Sequence, residues 1–438
     1  MFIPQTSLIP ATVALLKFYQ LHGFSSFFQN YPYWYFGEVS YKYLIGPITP
    51  ILLNSDILIN NLSYIVLVLI LTSSIGWALF FVAFFKPEKR FYIFHLSFII
   101  LLLGPFKYLY TLAITDFTSF FAKSLIPFFL IFLYKKKYIL SILFLVFLLL
   151  INTNALPSVL VFSFCLSIKN YKTRLKPFFV VLVSSLLASS VWYGPLYYLK
   201  ILMNPSIGGR VGLSAIWGAL NFFKLLLPVV IAFVAVKMSG KLRRRLPIFI
   251  VGSIISFLTL SIYRFFANPD FWMDWITWFY ELEISLSLLM AYAVYKKLYK
   301  YIVLSLFSVL CSLLLFFRLN LGNKNDMTIL SDLEKIAGTD RVFMSGSTVF
   351  QPSELNQLRG GRDEVIKNSD WLIASYIFRE SKDTDLIKKN LSDLKIKFVL
   401  VHTKNSKEYY HDFKNEEVWQ QIGEKVFEQN GDVIYKVN

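Results

Sequence analysis

Long apolar runs separated by short basic clusters dominate the first three quarters of the chain. The runs cover residues 57–85, 91–103, 111–133, 138–151, 156–168, 177–197, 222–236, 246–265, 275–295 and 301–317. Polar residues inside them are sparse and show no regular period, as in helices that are apolar on every face. Several runs approach or exceed the ~20 residues that cross a bilayer as a helix. The basic clusters are 86–90 (KPEKR), 135–137 (KKK), 169–176 (KNYKTRLK), 237–245 (KMSGKLRRR) and 296–300 (KKLYK). Clusters of this kind mark cytoplasmic loops. If all are cytoplasmic, the spans between neighbours must pair, and the runs permit this. The pattern predicts an α-helical polytopic membrane protein of about ten transmembrane helices, with both ends of the chain outside.

After residue 318 the pattern changes to amphipathic helices and short strands. Residues 327–338 and 383–395 read as helices, the second capped by Asp383 or Thr384. Residues 340–346 and 396–403 read as strands, and 416–437 end in a hairpin with Asn430-Gly431 at its turn. This predicts three parts: an extracytoplasmic first-loop region (1–56), a transmembrane helical domain (57–318) and an extracytoplasmic α/β domain (319–438). A sequon, Asn390-Leu391-Ser392, lies in the last.

Composition agrees. The chain is 56% hydrophobic, 18% aromatic and only 16% charged, with mean hydropathy +0.56. Its net charge of +17 is unevenly spread. Residues 319–438 hold 17 basic and 19 acidic residues of the totals of 44 and 27, which leaves 27 and 8 before them. The basic excess therefore belongs to the membrane part, and nucleic acid is not an expected partner. Cys165 and Cys311 both lie in apolar runs, and the four histidines have no metal-ligand spacing.

The first segment contains the stretch NYPYWYFGEVSYKYLIGPITP, residues 30–50. It is aromatic yet broken by Pro32, Gly37, Gly46 and Pro47, so it is not a span. Residues 6–22 suit a helix lying in the membrane interface with Lys17 reaching the surface. The rings of Tyr31–Phe36 suit the headgroup belt. Within 1–318 the carboxylates are Glu38, Asp56, Glu88, Asp116, Asp270, Asp274, Glu281 and Glu283, and only Glu88 falls in a cytoplasmic cluster. The other seven are placed in outer loops or at outer helix ends, so carboxylate chemistry is expected on the outer face. Lys123 is the ionisable residue nearest a span centre.

This order of parts resembles the GT-C class of membrane glycosyltransferases. Residues 22–53 look like that family's first outer loop, 188–200 (ASSVWYGPLYYLK) like a span end carrying Trp before Pro, and the tail strands like the outer domain of a prokaryotic subgroup. The resemblance implies a sugar donor on a polyprenyl phosphate, an acceptor glycan, lipid or protein, and in some members a divalent metal such as Mg or Mn. It implies a carboxylate as base or metal ligand, with Glu38 and Asp116 the candidates. It also implies cations for the leaving phosphate, drawn from Lys42, Lys107, Lys200, Arg210 and Arg264. Trp34, Lys42, Arg210 and Arg264 are the candidate sugar- or lipid-phosphate-binding residues. The chain departs from the family where a first span and a following Asp are usual, and Gln5, Thr6 and Ser7 stand there. Either a further span precedes Met1, or the protein is a non-catalytic relative that binds lipid-linked glycans or scaffolds envelope assembly. A transporter is the third function class, for which paired repeats and ionisable residues near the midplane are expected.

Overall fold

A computed structural model describes residues 7–104, 107, 117–194, 197–198, 245–267, 277–298, 328–361 and 370–437. The chain divides into two compact units, one made of Met1–Asn60 with Leu321–Asn438 and the other of Asn61–Asn320. The first segment and the tail, separate domains in the sequence reading, thus form one unit.

The second unit is helical. Its described helices are the greater part of Ser55–Val82, then Pro87–Leu102, Phe117–Tyr134, Tyr138–Ile151, Leu156–Ser167, Tyr171–Tyr193, Arg245–Ala267 and Thr277–Lys296. Each coincides with one predicted run, and the runs at 222–236 and 301–317 lie outside the described residues. Among the described residues, three helices are long and apolar enough to cross a membrane: Ser55–Val82, Phe117–Tyr134 and Thr173–Tyr193. Tyr138–Ile151 and Leu246–Leu260 are shorter apolar stretches. The Asn-Thr-Asn break ends Tyr138–Ile151 because the Asn152 side chain is engaged twice. Its Nδ2 donates to Thr118 Oγ1 at 2.6 Å and its Oδ1 accepts from the Asn154 N–H at 2.8 Å. A side chain at Gly76 would meet Pro127 Cγ at 2.6 Å, so glycine there lets Ser55–Val82 lie close against Phe117–Tyr134.

The first unit is built on a five-stranded sheet. Its strands are β1 (Arg341–Phe343), β2 (Asn356–Gln357), β3 (Ile396–His402), β4 (Gly423–Gln429) and β5 (Asp432–Val437). They lie in the order β2-β1-β3-β5-β4. β1 runs parallel to β2 and β3, whereas β5 is antiparallel to β3 and β4. The β4–β5 hairpin turns at Asn430 (φ 52) and Gly431 (φ 84), the left-handed pair a type I′ turn needs. Helix Thr384–Leu394 starts at Asp383, whose carboxylate accepts from the N–H groups of Asp385 and Leu386, each at 3.0 Å. The Asn390 sequon falls inside this helix. The core joins Leu333 of helix Thr328–Ala337 to Val342, Leu400 and Ile434 of the sheet. β1 is shorter than its predicted strand because the chain turns away at Gly346 (φ 86). Helix Asp370–Glu380 and the two-residue β2 carry too little pattern to be predicted.

The first segment completes this unit. Helix Ile9–His22 buries Ile9 through Leu16 and Phe18 and exposes Lys17. The Tyr41 hydroxyl donates to its Leu15 carbonyl at 2.6 Å. Trp34 bridges to Gln357 of β2, and the Gln357 N–H donates to the Tyr33 carbonyl at 3.1 Å. The aromatic stretch therefore extends the β2 edge. Tyr31, Trp34 and Tyr35 are each no more than 1% exposed, so these rings are core and do not form a headgroup belt. An apolar, ring-rich segment can bury against protein as well as against lipid, and its composition does not distinguish the two.

Candidate functional site

Two arrangements carry chemistry, one in each unit. In the first unit, Tyr35 (φ 54), Phe36 (φ 52) and Gly37 (φ 73) form a left-handed turn. Left-handed backbone costs roughly 1–2 kcal/mol for each non-glycine residue. Aromatic packing holds it in place. The Arg341 guanidinium lies 4.2 Å from the Phe36 ring centroid, and Trp371 meets the same ring edge-on at 5.5 Å. Below it, Trp34 lies against Gly360 and Gly361, where added side chains would come within 2.6 and 3.1 Å of the indole. The Arg-Gly-Gly turn is thus the seat of Trp34, and the indole is fully used in packing. Local hydrogen bonds close the turn: Gly37 N–H to Trp34 carbonyl and Glu38 N–H to Tyr35 carbonyl, both 3.0 Å. The turn presents Glu38 to solvent. Lys42, one short helix later, is half-buried with its ammonium 5.1 Å from the Tyr43 ring centroid. Burial, followed by the neighbouring Tyr33, pushes the Tyr31 hydroxyl above the usual phenol range, so it stays protonated.

In the second unit, charge is buried among apolar helices. Lys123 Nζ and Glu281 Oε1 are 2.7 Å apart, with side chains 1% and 0% exposed. The Ser158 hydroxyl donates to the same carboxylate oxygen at 2.6 Å. The Tyr280 ring lies 5.9 Å from the Lys123 ammonium, and its hydroxyl meets Ser73 at 3.0 Å. Nearby in sequence, Lys107 Nζ donates to Ser74 Oγ at 3.2 Å and interacts electrostatically with Glu283. Lys107 is 1% and Glu283 6% exposed. The Glu283 carboxylate fills the space over Gly104 that any side chain there would need. Each acidic member sits in the first turns of helix Thr277–Lys296, and Lys123 sits in the second turn of Phe117–Tyr134.

The sequence reading put Glu281 and Glu283 at a water-facing helix end, and here both are buried against lysine partners. It singled out Lys123 without a partner. A carboxylate pair inside the apolar window WFYELEISL and a lysine inside FFAKSLIPFF are the available signal, since charges of opposite sign in apolar windows tend to pair. Asp116, Asp274, Lys200 and Arg210 lie outside the described residues, as does the Arg264 side chain on helix Arg245–Ala267. Among the described residues no group of three His, Cys, Asp or Glu converges as a metal ion would require.

A third polar cluster lies at the carboxyl ends of β1 and β3. His402 Nδ1 donates to Asp432 Oδ1 at 2.8 Å and Nε2 to the Ser345 carbonyl at 3.0 Å. Glu408 accepts from the Ser347 N–H at 3.0 Å and hydroxyl at 2.8 Å. Ser345 donates to Asp412, which Arg379 also approaches at 3.5 Å, and accepts from Arg359 at 3.3 Å. Each of these groups is engaged by another, and the cluster fastens the turn after β1 to the loop after β3.

Comparison with known proteins returns no matching family model, no similar curated protein and no similar solved structure.

Proposed function

We propose that this chain is a multi-pass membrane glycosyltransferase that moves a sugar from a polyprenyl-phosphate-linked donor to an acceptor on the outer face of the membrane. The observation that carries the reading is the buried Lys123–Glu281 pair with Lys107 and Glu283 in an otherwise apolar unit. Burying ions costs several kcal/mol apiece, and ionisable residues kept within membrane helices serve function by default. In this reading the ten-span topology stands, with the sheet-bearing unit outside. Lys107 and Lys123 offset the charge that develops on the donor phosphate, and Lys42, Arg210 and Arg264 hold its headgroup. Glu38 and Asp116 are the carboxylates assigned to the acceptor. The acceptor hydroxyl gives its proton to a carboxylate, its oxygen bonds to the anomeric carbon, and the phosphate oxygen leaves with the electron pair of the broken bond. Trp34 acts by holding the turn that presents Glu38.

The test uses the full chain in proteoliposomes with a panel of radiolabelled polyprenyl-phosphate hexoses and pentoses. Release of polyprenyl phosphate above protein-free vesicles is expected, and Glu38→Gln should lower it by ~10² while leaving the fold intact. Release no faster than in protein-free vesicles across the panel would overturn the reading. The same buried pair favours a second reading, charge-coupled transport. Uptake of a free sugar phosphate driven by a pH step, without bond cleavage, would select it.

A further inference from the structure

The first unit carries an apolar surface that its own core does not use. Leu21 is 74% exposed, Phe24 57% and Phe28 78%, all at the end of helix Ile9–His22 and in the short 3-10 helix Gly23–Phe28 that follows. Ile51 and Leu52 are 55% and 61% exposed at the end of the short helix Ile48–Leu52. The Phe24 and Phe28 rings meet edge-on at 5.8 Å, so they form one patch.

Gln20 ties both stretches to one place. Its Oε1 accepts from the Ser55 N–H at 3.2 Å and from the Ser55 hydroxyl, and its Nε2 donates to Asp56 at 3.4 Å. The residue before Leu21 is thus fastened to the first turn of helix Ser55–Val82, directly after Ile51 and Leu52. Ile57 and Ile59 in the first turns of that helix are themselves 46% and 48% exposed. Single exposed apolar residues are ordinary, but a contiguous patch marks something that covers it.

We propose that Leu21, Phe24, Phe28, Ile51 and Leu52 dock the first unit onto the headgroup–acyl boundary of the bilayer that takes Ser55–Val82. The proposal rests on the reading that this helix spans the membrane. Continuity with the helix selects lipid as the occupant, because Gln20, beside Leu21, is hydrogen-bonded to the residues where the helix begins and Ile51 and Leu52 shortly precede them. Charge agrees: Lys17 and His22 are exposed beside the patch, and Glu38 is the sole carboxylate in residues 7–54, which suits anionic headgroups. The membrane-facing residues are therefore not Tyr31, Trp34, Tyr35 and Phe36, whose rings belong to the core.

The experiment is nitroxide depth measurement on the full chain in vesicles of phosphatidylcholine with a minority of phosphatidylglycerol. Labels are placed singly through Phe24→Cys, Phe28→Cys, Leu52→Cys, Val68→Cys and Lys388→Cys. Accessibility to oxygen, which concentrates in lipid, is compared with accessibility to a polar nickel chelate. The oxygen-to-nickel ratio at positions 24, 28 and 52 is expected to rise several-fold above that at the exposed Lys388 and to stay below that at Val68. Ratios equal to that at Lys388, with Val68 deep in lipid, overturn the docking proposal alone. Shielding from both reagents with dipolar broadening between labels overturns it in favour of a second copy of the chain. A water-accessible Val68 overturns the spanning reading beneath it.

Discussion

Replacing Lys123 by methionine tests whether the buried pair is held together by its charges. At 2.7 Å and an effective dielectric near 20, the attraction between two unit charges is about 6 kcal/mol. Desolvation of both groups offsets most of it, so the pair as a whole contributes little net stability. Removing one partner is different, because the Glu281 carboxylate then remains buried with, among the described residues, the Ser158 hydroxyl as its hydrogen-bond donor in place of an ammonium. Lys123→Met is expected to destabilise the helical unit by about 3–5 kcal/mol. Lys123→Met with Glu281→Leu removes both charges and should recover most of that loss. The freed Ser158 hydroxyl can turn to a carbonyl one helical turn back, as other serines do in this protein (Ser167 to Ser163 at 2.8 Å). The assay is the midpoint of irreversible loss of monodisperse protein on heating in detergent, for the wild type, both single variants and the double variant. A double variant as unstable as the worse single would refute the charge argument. Single variants as stable as the wild type would do so as well.

His402 predicts a pH dependence in the first unit. Burial pushes its pKa down, but the hydrogen bond to Asp432, the charges of Glu408 and Asp432 and the bond to the Ser345 carbonyl outweigh this and raise it. Both ring nitrogens face acceptors, so the protonated form is the stabilised one. That stabilisation is complete below the unfolded value near ~6.5 and fades as pH rises through the folded value. The exchange protection of the 345–348 turn, taken relative to the intrinsic base-catalysed rate, should therefore fall as pH rises, and His402→Gln should remove that pH dependence. Gly360→Val drives a side chain into the Trp34 indole, within 2.6 Å at the first carbon, and should free the first segment to limited proteolysis near residue 30 without altering helix content. Asp383→Ala removes the cap of helix Thr384–Leu394 and should lower stability by ~1 kcal/mol, read from denaturant midpoints. A cysteine at exposed Lys388, with Cys165 and Cys311 replaced, should react with an impermeant maleimide in whole cells. Labelling only after lysis would refute an outer location for the sheet-bearing unit.

The chain's local pattern determined most of its elements. The described apolar runs between basic clusters became helices, because a helix satisfies its backbone hydrogen bonds within the run itself. Asp383 became a cap and Asn430-Gly431 a hairpin turn, because each needs partners within three residues. Only tertiary structure decided where the first segment goes. Trp34 and Gln357 are more than three hundred positions apart, and nothing periodic in either marks the other. Rings that lipid would accept were taken by the edge of a sheet, because backbone groups of β2 and a glycine seat wide enough for an indole were there to receive them. The same holds for the buried charges. The sequence showed Lys123, Glu281 and Glu283 as costly residues in apolar windows. The packing of helices Phe117–Tyr134 and Thr277–Lys296 brought a carboxylate within 2.7 Å of an ammonium, the short distance at which an ion can be tolerated out of water.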